Sequence, residues 1–165
     1  FGGEGSDDIT GGVNADIIYL EAANSSEKDI VSGSDGSDVF VVTEDDDYEN
    51  LKDYTLYDDS KNELDKMLSN FIENIGLNED QVKVAGVVRD WESDENGNSD
   101  SIVFAGFSQD STVTVHVEEN AAAVLVNNQE LNSENDIYTA AILMPEYGSF
   151  DSNDMELINN AVHKI

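Results

Sequence analysis

Aspartates at positions 7, 16, 29 and 38 each stand two residues before a large apolar side chain: Ile9, Ile18, Val31 and Phe40. Residues 2–10 read Gly-Gly-Glu-Gly-Ser-Asp-Asp-Ile-Thr, and 11–19 read Gly-Gly-Val-Asn-Ala-Asp-Ile-Ile-Tyr. Residues 33–41, Gly-Ser-Asp-Gly-Ser-Asp-Val-Phe-Val, fit the same nine-residue frame, G-G-x-G-x-D-x-U-x with U large and apolar. Residues 24–32 keep the Asp and the apolar position alone, after the four-residue insertion Leu20-Glu21-Ala22-Ala23. Glycine takes the cramped or positive-φ conformations that let main-chain carbonyls converge, and an Asp at the end of each turn adds formal charge. Carbonyl and carboxylate oxygens are hard ligands, suited to calcium with six to eight oxygens at about 2.3–2.6 Å. An unstructured Gly- and Asp-rich linker would share this composition without keeping an apolar residue in phase with each Asp.

On these motifs, residues 2–41 resemble the nonapeptide repeats of the RTX (repeats-in-toxin) family. The resemblance implies a calcium-bound parallel β-roll in which each turn is half a coil, so that alternate turns stack on one edge and share an ion. By that analogy the turn 11–16 pairs with the turn 33–38. Asp16 and Asp38 then supply carboxylates, and Gly11, Val13, Ser34 and Gly36 supply backbone oxygens. The turn 2–7, with Gly2, Glu4 and Asp7, pairs with the irregular turn ending at Asp29. Asn24, Ser25 and Ser26 replace glycines there, leaving open whether that pair holds calcium.

The expected fold is mainly β: a short parallel β-roll over residues 1–43, then an antiparallel β cap with one or two helices over 44–165. The acidic run Glu44–Glu49 reads as a solvated loop. Ser60 and Glu63 form a capping box, and Leu64, Met67, Leu68, Phe71, Ile72 and Ile75 lie on one helical face that ends at Gly76. This stripe is core-forming. Residues 82–127 read as antiparallel strands: Val82–Trp91, Ile102–Phe107, Thr112–Val117 and Ala121–Val126, the first two joined by a turn at 93–98. In that turn Asp94, Asn96, Asn98 and Asp100 alternate around Gly97 like the start of an EF-hand loop, a second candidate calcium site. The twelfth position is Val103 rather than a bidentate Glu, and a hairpin turn explains the loop more simply. Ile137–Met144 is a mixed segment ended by Pro145. A short helix from Asp151 or Ser152 places Met155, Ile158, Ala161 and Val162 on one side, with Asp151–Asp154 as its N-cap rather than half a metal loop.

Composition narrows the partners. The chain has 165 residues, 37 acidic against 7 basic, a net charge of -30, no Cys and one Pro. So few Lys and Arg cannot grip a phosphate backbone, which excludes nucleic acid and anionic lipid. The absence of Cys removes disulfides, thiolate zinc sites and Cys nucleophiles. No apolar run reaches the roughly 18 residues of a membrane helix, and the first residues lack the layout of a secretory signal. His116 and His163 are too few for a zinc shell, no strained G-x-S-x-G turn or phosphate-cradling loop occurs, and so many acidic residues make any catalytic carboxylate pair uninformative. Nothing points to an active site in this chain, although a parent protein could carry one. The RTX resemblance implies a secreted module, exported by type I secretion machinery, that folds on meeting extracellular calcium. A carbohydrate- or surface-binding module, taking a neutral glycan through calcium, is the alternative.

Overall fold

The computed structural model describes residues 7–20, 29–43, 63–78, 81–92, 99–127 and 138–165. Gly2, Glu4, Asp94, Asn96, Asn98, the acidic run and the Ser60 cap lie outside them.

The described chain is mainly β and its sheets are largely parallel. Strands β1 (Asp8–Thr10), β2 (Ile17–Leu20), β3 (Asp29–Ser32) and β4 (Val39–Thr43) fall alternately into two sheets. In the first sheet β1 pairs with β3, Ile9 beside Val31; in the second β2 pairs with β4, Ile18 beside Phe40. Both pairings are offset by 22 residues, which is two nonapeptides and the insertion between them. The alternation continues past the repeats. β5 (Val82–Trp91) lies parallel to β3, and β6 (Ser101–Ala105) parallel to β4. Further on, β9 (Tyr138–Pro145) pairs parallel with β5, and β10 (Val162–Lys164) parallel with β6.

This corrects the antiparallel hairpin expected of residues 82–107. β5 and β6 belong to different sheets, and β5 is parallel to both neighbours. The physical reason lies in burial: Val82 to Val88 are all buried because both faces of β5 are covered, a property of central parallel strands. Among the described strands, antiparallel pairing is confined to β7 (Val113–Val117), β8 (Ala122–Asn127) and β9, which complete the first sheet. In β7, Val113, Val115 and Val117 face the core as their alternation predicts.

The sheets enclose one apolar layer. Ile18, Val31 and Phe40, the repeat's apolar register, are buried in it with Trp91, Ile102, Phe104 and Leu143. Ile17, one residue from Ile18, is 67% exposed, so register decides which side chain is core. Helix α1 (Glu63–Asn74) covers the outer face of the first sheet with Leu68, Phe71 and Ile72 against Val84, Val87, Leu125 and Ile142. It ends in a Schellman turn: Gly76 takes φ +85° and the Leu77 N–H donates to the Ile72 carbonyl at 3.1 Å.

Helix α2 (Ser152–Asn160) opens on a capping box. The Asn153 N–H donates to Asp151 Oδ1 at 2.8 Å and the Asp151 N–H to Asp154 Oδ2 at 2.7 Å, as N-capping requires. Ile158 is buried, and Ala161 and Val162 pack against the core, whereas Met155 is 45% exposed and departs from the expected stripe. Lys164 then bolts the last strand down, its Nζ donating to the carbonyls of Ser108, Gln109 and Ser111 at 3.2, 2.9 and 2.6 Å.

Candidate cation sites at the strand ends

Each repeat Asp sits just before or at the start of its strand. Parallel stacking brings these residues together at 22-residue intervals. The Asp16 N–H donates to Asp38 Oδ1 at 2.8 Å, while the Val39 N–H donates to the Asp16 carbonyl at 2.9 Å. On the first sheet the Asp7 N–H donates to Asp29 Oδ1 at 3.1 Å, and the Ile30 N–H to the Asp7 carbonyl at 2.8 Å. One carboxylate oxygen of Asp29 and one of Asp38 is thus fixed by the neighbouring coil. Both side chains are fully buried.

The same two-bond unit appears a third time. Asp38 donates its N–H to Asp100 Oδ1 at 3.0 Å, and Ser101 donates to the Asp38 carbonyl at 2.8 Å. Asp100 therefore continues the row Asp16, Asp38, Asp100. Its other oxygen accepts the Glu92 N–H at 2.9 Å. A signal for this place was present in the sequence: Asp100-Ser101-Ile102 repeats the Asp-x-apolar spacing, and Ile102 pairs with Phe40.

Asp90 is a further participant that sequence reasoning missed. From the end of β5 its carboxylate accepts from the Gly33 N–H at 3.0 Å, the Ser34 N–H at 2.9 Å and the Ser32 hydroxyl. The local sequence Arg89-Asp90-Trp91 carries no mark of that role, which arises from a contact between segments far apart in the chain.

Glycine is required where oxygens converge. A Cβ on Gly11 would stand 2.5 Å from the Gly33 carbonyl oxygen and 2.6 Å from Asp16 Oδ2, and a Cβ on Gly33 would overlap Asp38 Oδ2. Gly36, with φ +149°, lies directly over the Asn14 carbonyl. The turns 11–16 and 33–38 thus stack face to face with Asp16 Oδ2 and the Gly33 and Asn14 carbonyls between them. Of the expected oxygen donors, Ser34 takes the left-handed conformation, φ +67°, and Val13 is 74% exposed at the tip of its turn.

Asp38 Oδ2 and Asp7 Oδ2 are buried and accept no hydrogen bond among the described residues. Burial raises the Asp38 carboxyl above its ordinary range, with Asp16 and Asp90 adding repulsion against the opposing N–H bond from Asp16. Asp100 is pushed up to about 7 by burial, despite two N–H donors, with Asp38 and Asp90 adding to the rise. Glu92 also rises to about 7, first through a hydrogen bond to Glu146 and then through burial and the charges of Glu146, Asp100 and Asp35. Of the basic residues, Arg89 faces outward and pairs with Asp8 at 2.5 Å, and Lys164 is committed to its carbonyls.

No protein-family model, curated protein or solved structure matches the chain. Among the described residues, no group of three or more His, Cys, Asp or Glu side chains is arranged to hold a metal ion. The cradle between the stacked turns is of another kind, few carboxylates and several main-chain oxygens. That donor set is hard and anionic and fits calcium rather than a softer metal.

Proposed function

We propose that this chain is a calcium-binding module of the RTX kind, which folds as a β-roll with an antiparallel cap when calcium enters its turns. In this reading it supports the folding and export of a parent protein secreted by a type I system. The observation that carries it is the stacking of the turns 11–16 and 33–38. Asp16 Oδ2 and the Gly33 carbonyl converge where Gly11 lacks a side chain, beside the buried, partly unsatisfied Asp38. Asp16 and Asp38 would hold the ion together with main-chain oxygens of Gly33 and Asn14. Bound calcium supplies positive charge to these carboxylates. Folding and binding are then one equilibrium, because the unfolded chain does not assemble the donors.

The rest of the chain gives the turns something to fold against. β5, α1 and the β7–β8 pair form a covered apolar layer onto which the short repeat strands add. No helix among the described residues is long and apolar enough to cross a membrane.

Far-UV circular dichroism of the chelated protein during calcium addition tests the reading. A steep gain of β signal, reversed by chelator, is expected. A chain with identical spectra in chelator and in saturating calcium, and no bound calcium by equilibrium dialysis, overturns it.

A further inference from the structure

Helix α1 packs on the outer face of the first sheet and leaves a groove of about 530 Å³ between its flank and the turn 118–121, which joins β7 to β8. That volume falls among sites for small ligands, about 300–1,000 Å³. The floor is apolar, formed by Met67, Phe71 and Ala121. Three side-chain amides line the walls: Asn70 and Asn74, one turn apart on the helix, and Asn120 on the turn. All three residues are exposed. Asn70 stands in the middle of α1, where Glu, Lys or Ala would favour the helix more, so helix formation does not account for its amide. Both walls are held in place. Leu68 and Ile72 anchor the helix in the core, and the turn is fastened by the Glu118 N–H on the Ala121 carbonyl and the Phe150 N–H on the Glu119 carbonyl, each at 2.9 Å.

An amide side chain carries an acceptor oxygen and two donor hydrogens, a combination matched by hydroxyl groups, which both donate and accept. We propose that this groove binds a neutral, hydroxyl-rich ligand, a short uncharged oligosaccharide, through hydrogen bonds to Asn70, Asn74 and Asn120 with the sugar's C–H faces against Met67. Glu63, Glu118 and Glu119 also line the groove, with Lys66 as the one cation among them, and they repel an anionic polymer. They do not single the groove out for a cation, because carboxylates are spread along a chain of net charge -30. What sets this place apart is a group of amides over an apolar floor. The groove shares no residue with the turns 11–16 and 33–38, and the contact is made by protein side chains rather than through an ion. It therefore stands apart from the calcium reading of those turns.

Nitrogen–proton correlation NMR of the full chain in the presence of calcium provides the test, with the side-chain amide signals of Asn70, Asn74 and Asn120 as reporters. The probes are cellotetraose, maltotetraose and N-acetylchitotetraose as neutral sugars, tetragalacturonate as an anionic one, and spermine as a cation. One or more of the neutral sugars is expected to give saturable shifts centred on the three amides, and tetragalacturonate none there. Asn70→Ala and Asn120→Ala should each weaken that binding about threefold to tenfold, the worth of one hydrogen bond. Asn70→Ala should leave the helix intact, because Ala is the better helix former. Full affinity in both variants overturns the proposal. So do neutral-sugar shifts confined to other surfaces, or saturation of these amides by spermine and by no neutral sugar. A chain that folds with calcium and binds none of the three neutral sugars keeps the calcium reading and loses this one. Should Asn120→Ala disturb its turn, the wild-type shift map and Asn70→Ala decide.

Discussion

Gly33 lies so close under Asp38 that a single methyl group on its Cα would overlap the carboxylate oxygen Oδ2. Gly12, one residue past Gly33's counterpart Gly11 in the neighbouring coil, has only an ordinary 3.6 Å approach to Asp16 Oδ2. Gly33→Ala should therefore displace the Asp38 carboxylate and destabilise the calcium-loaded fold by about 1–3 kcal/mol, the usual cost of overpacking. Gly12→Ala should cost much less. Thermal melts of both variants in saturating calcium give the comparison, and equal melting temperatures would contradict the cradle.

Asp38→Asn should have opposite effects in the two metal states. Without calcium it removes a buried charge that burial, Asp16 and Asp90 all disfavour, so the chelated chain gains structure. With calcium it removes an anionic ligand, so the midpoint of the calcium titration should rise by at least the roughly tenfold that loss of an outer-shell partner costs. Circular dichroism in chelator and across a calcium titration reads both arms. A change of the same sign in both arms would count against Asp38 as a ligand.

Acid should partly replace calcium. Asp100 and Glu92 rise in the folded chain from 3.8 and 4.5 to about 7. The folded state then holds more protons than the unfolded state between about pH 4 and 7, so stability falls as pH rises through that window. The groups facing Asp100 are Asp38, Asp90 and Glu92, with Glu146 and Asp35 beyond Glu92, all of one sign. In chelator the folded fraction should be larger at pH 5 than at pH 8. Calcium should abolish that preference. A flat pH profile in chelator would refute it.

Lys164→Met should weaken the fold with no change in calcium stoichiometry. The ammonium donates to three carbonyls of the loop 108–111, and charge-assisted bonds of this kind contribute about 1.5–3 kcal/mol where a partner is left unsatisfied. Chemical denaturation in saturating calcium measures the loss, and equilibrium dialysis checks the stoichiometry. A variant that loses a bound ion would tie this end of the molecule to the metal sites after all.

How much was legible beforehand varied with how local the cause was. Asp16, Asp38, Ile18 and Phe40 stand in a repeating frame that implies the burial of the apolar register, and the frame's resemblance to the RTX repeats implies the stacking of the two turns. The stripe on α1 and the Asp151 cap are equally local, one set by helical period and the other by a three-residue reach. Asp100 was only half legible: its Asp-x-apolar spacing was there, but the glycines that draw attention to the other repeats were not. β5 misled because Trp91 and the Asn-Gly pair after it look like a hairpin. Its continuous apolar run, which marks a strand covered on both faces, was the better guide. Asp90 was not legible at all, since its partners Ser32, Gly33 and Ser34 are 56 to 58 residues away.

Among the described strands, β1 and β2 are the outer members of their respective sheets. Both belong to the same end of the row of coils, so a coil of two repeat units inserted there would lengthen each sheet by one strand and leave the layer around Trp91 and Phe104 undisturbed. Stability in such an architecture is close to a sum of equal steps, one per coil and its contact with the next. Coil number is then an adjustable quantity: evolution or an engineer can change the molecule's length and, on the proposed calcium reading, its capacity for ions together, without redesigning its interior.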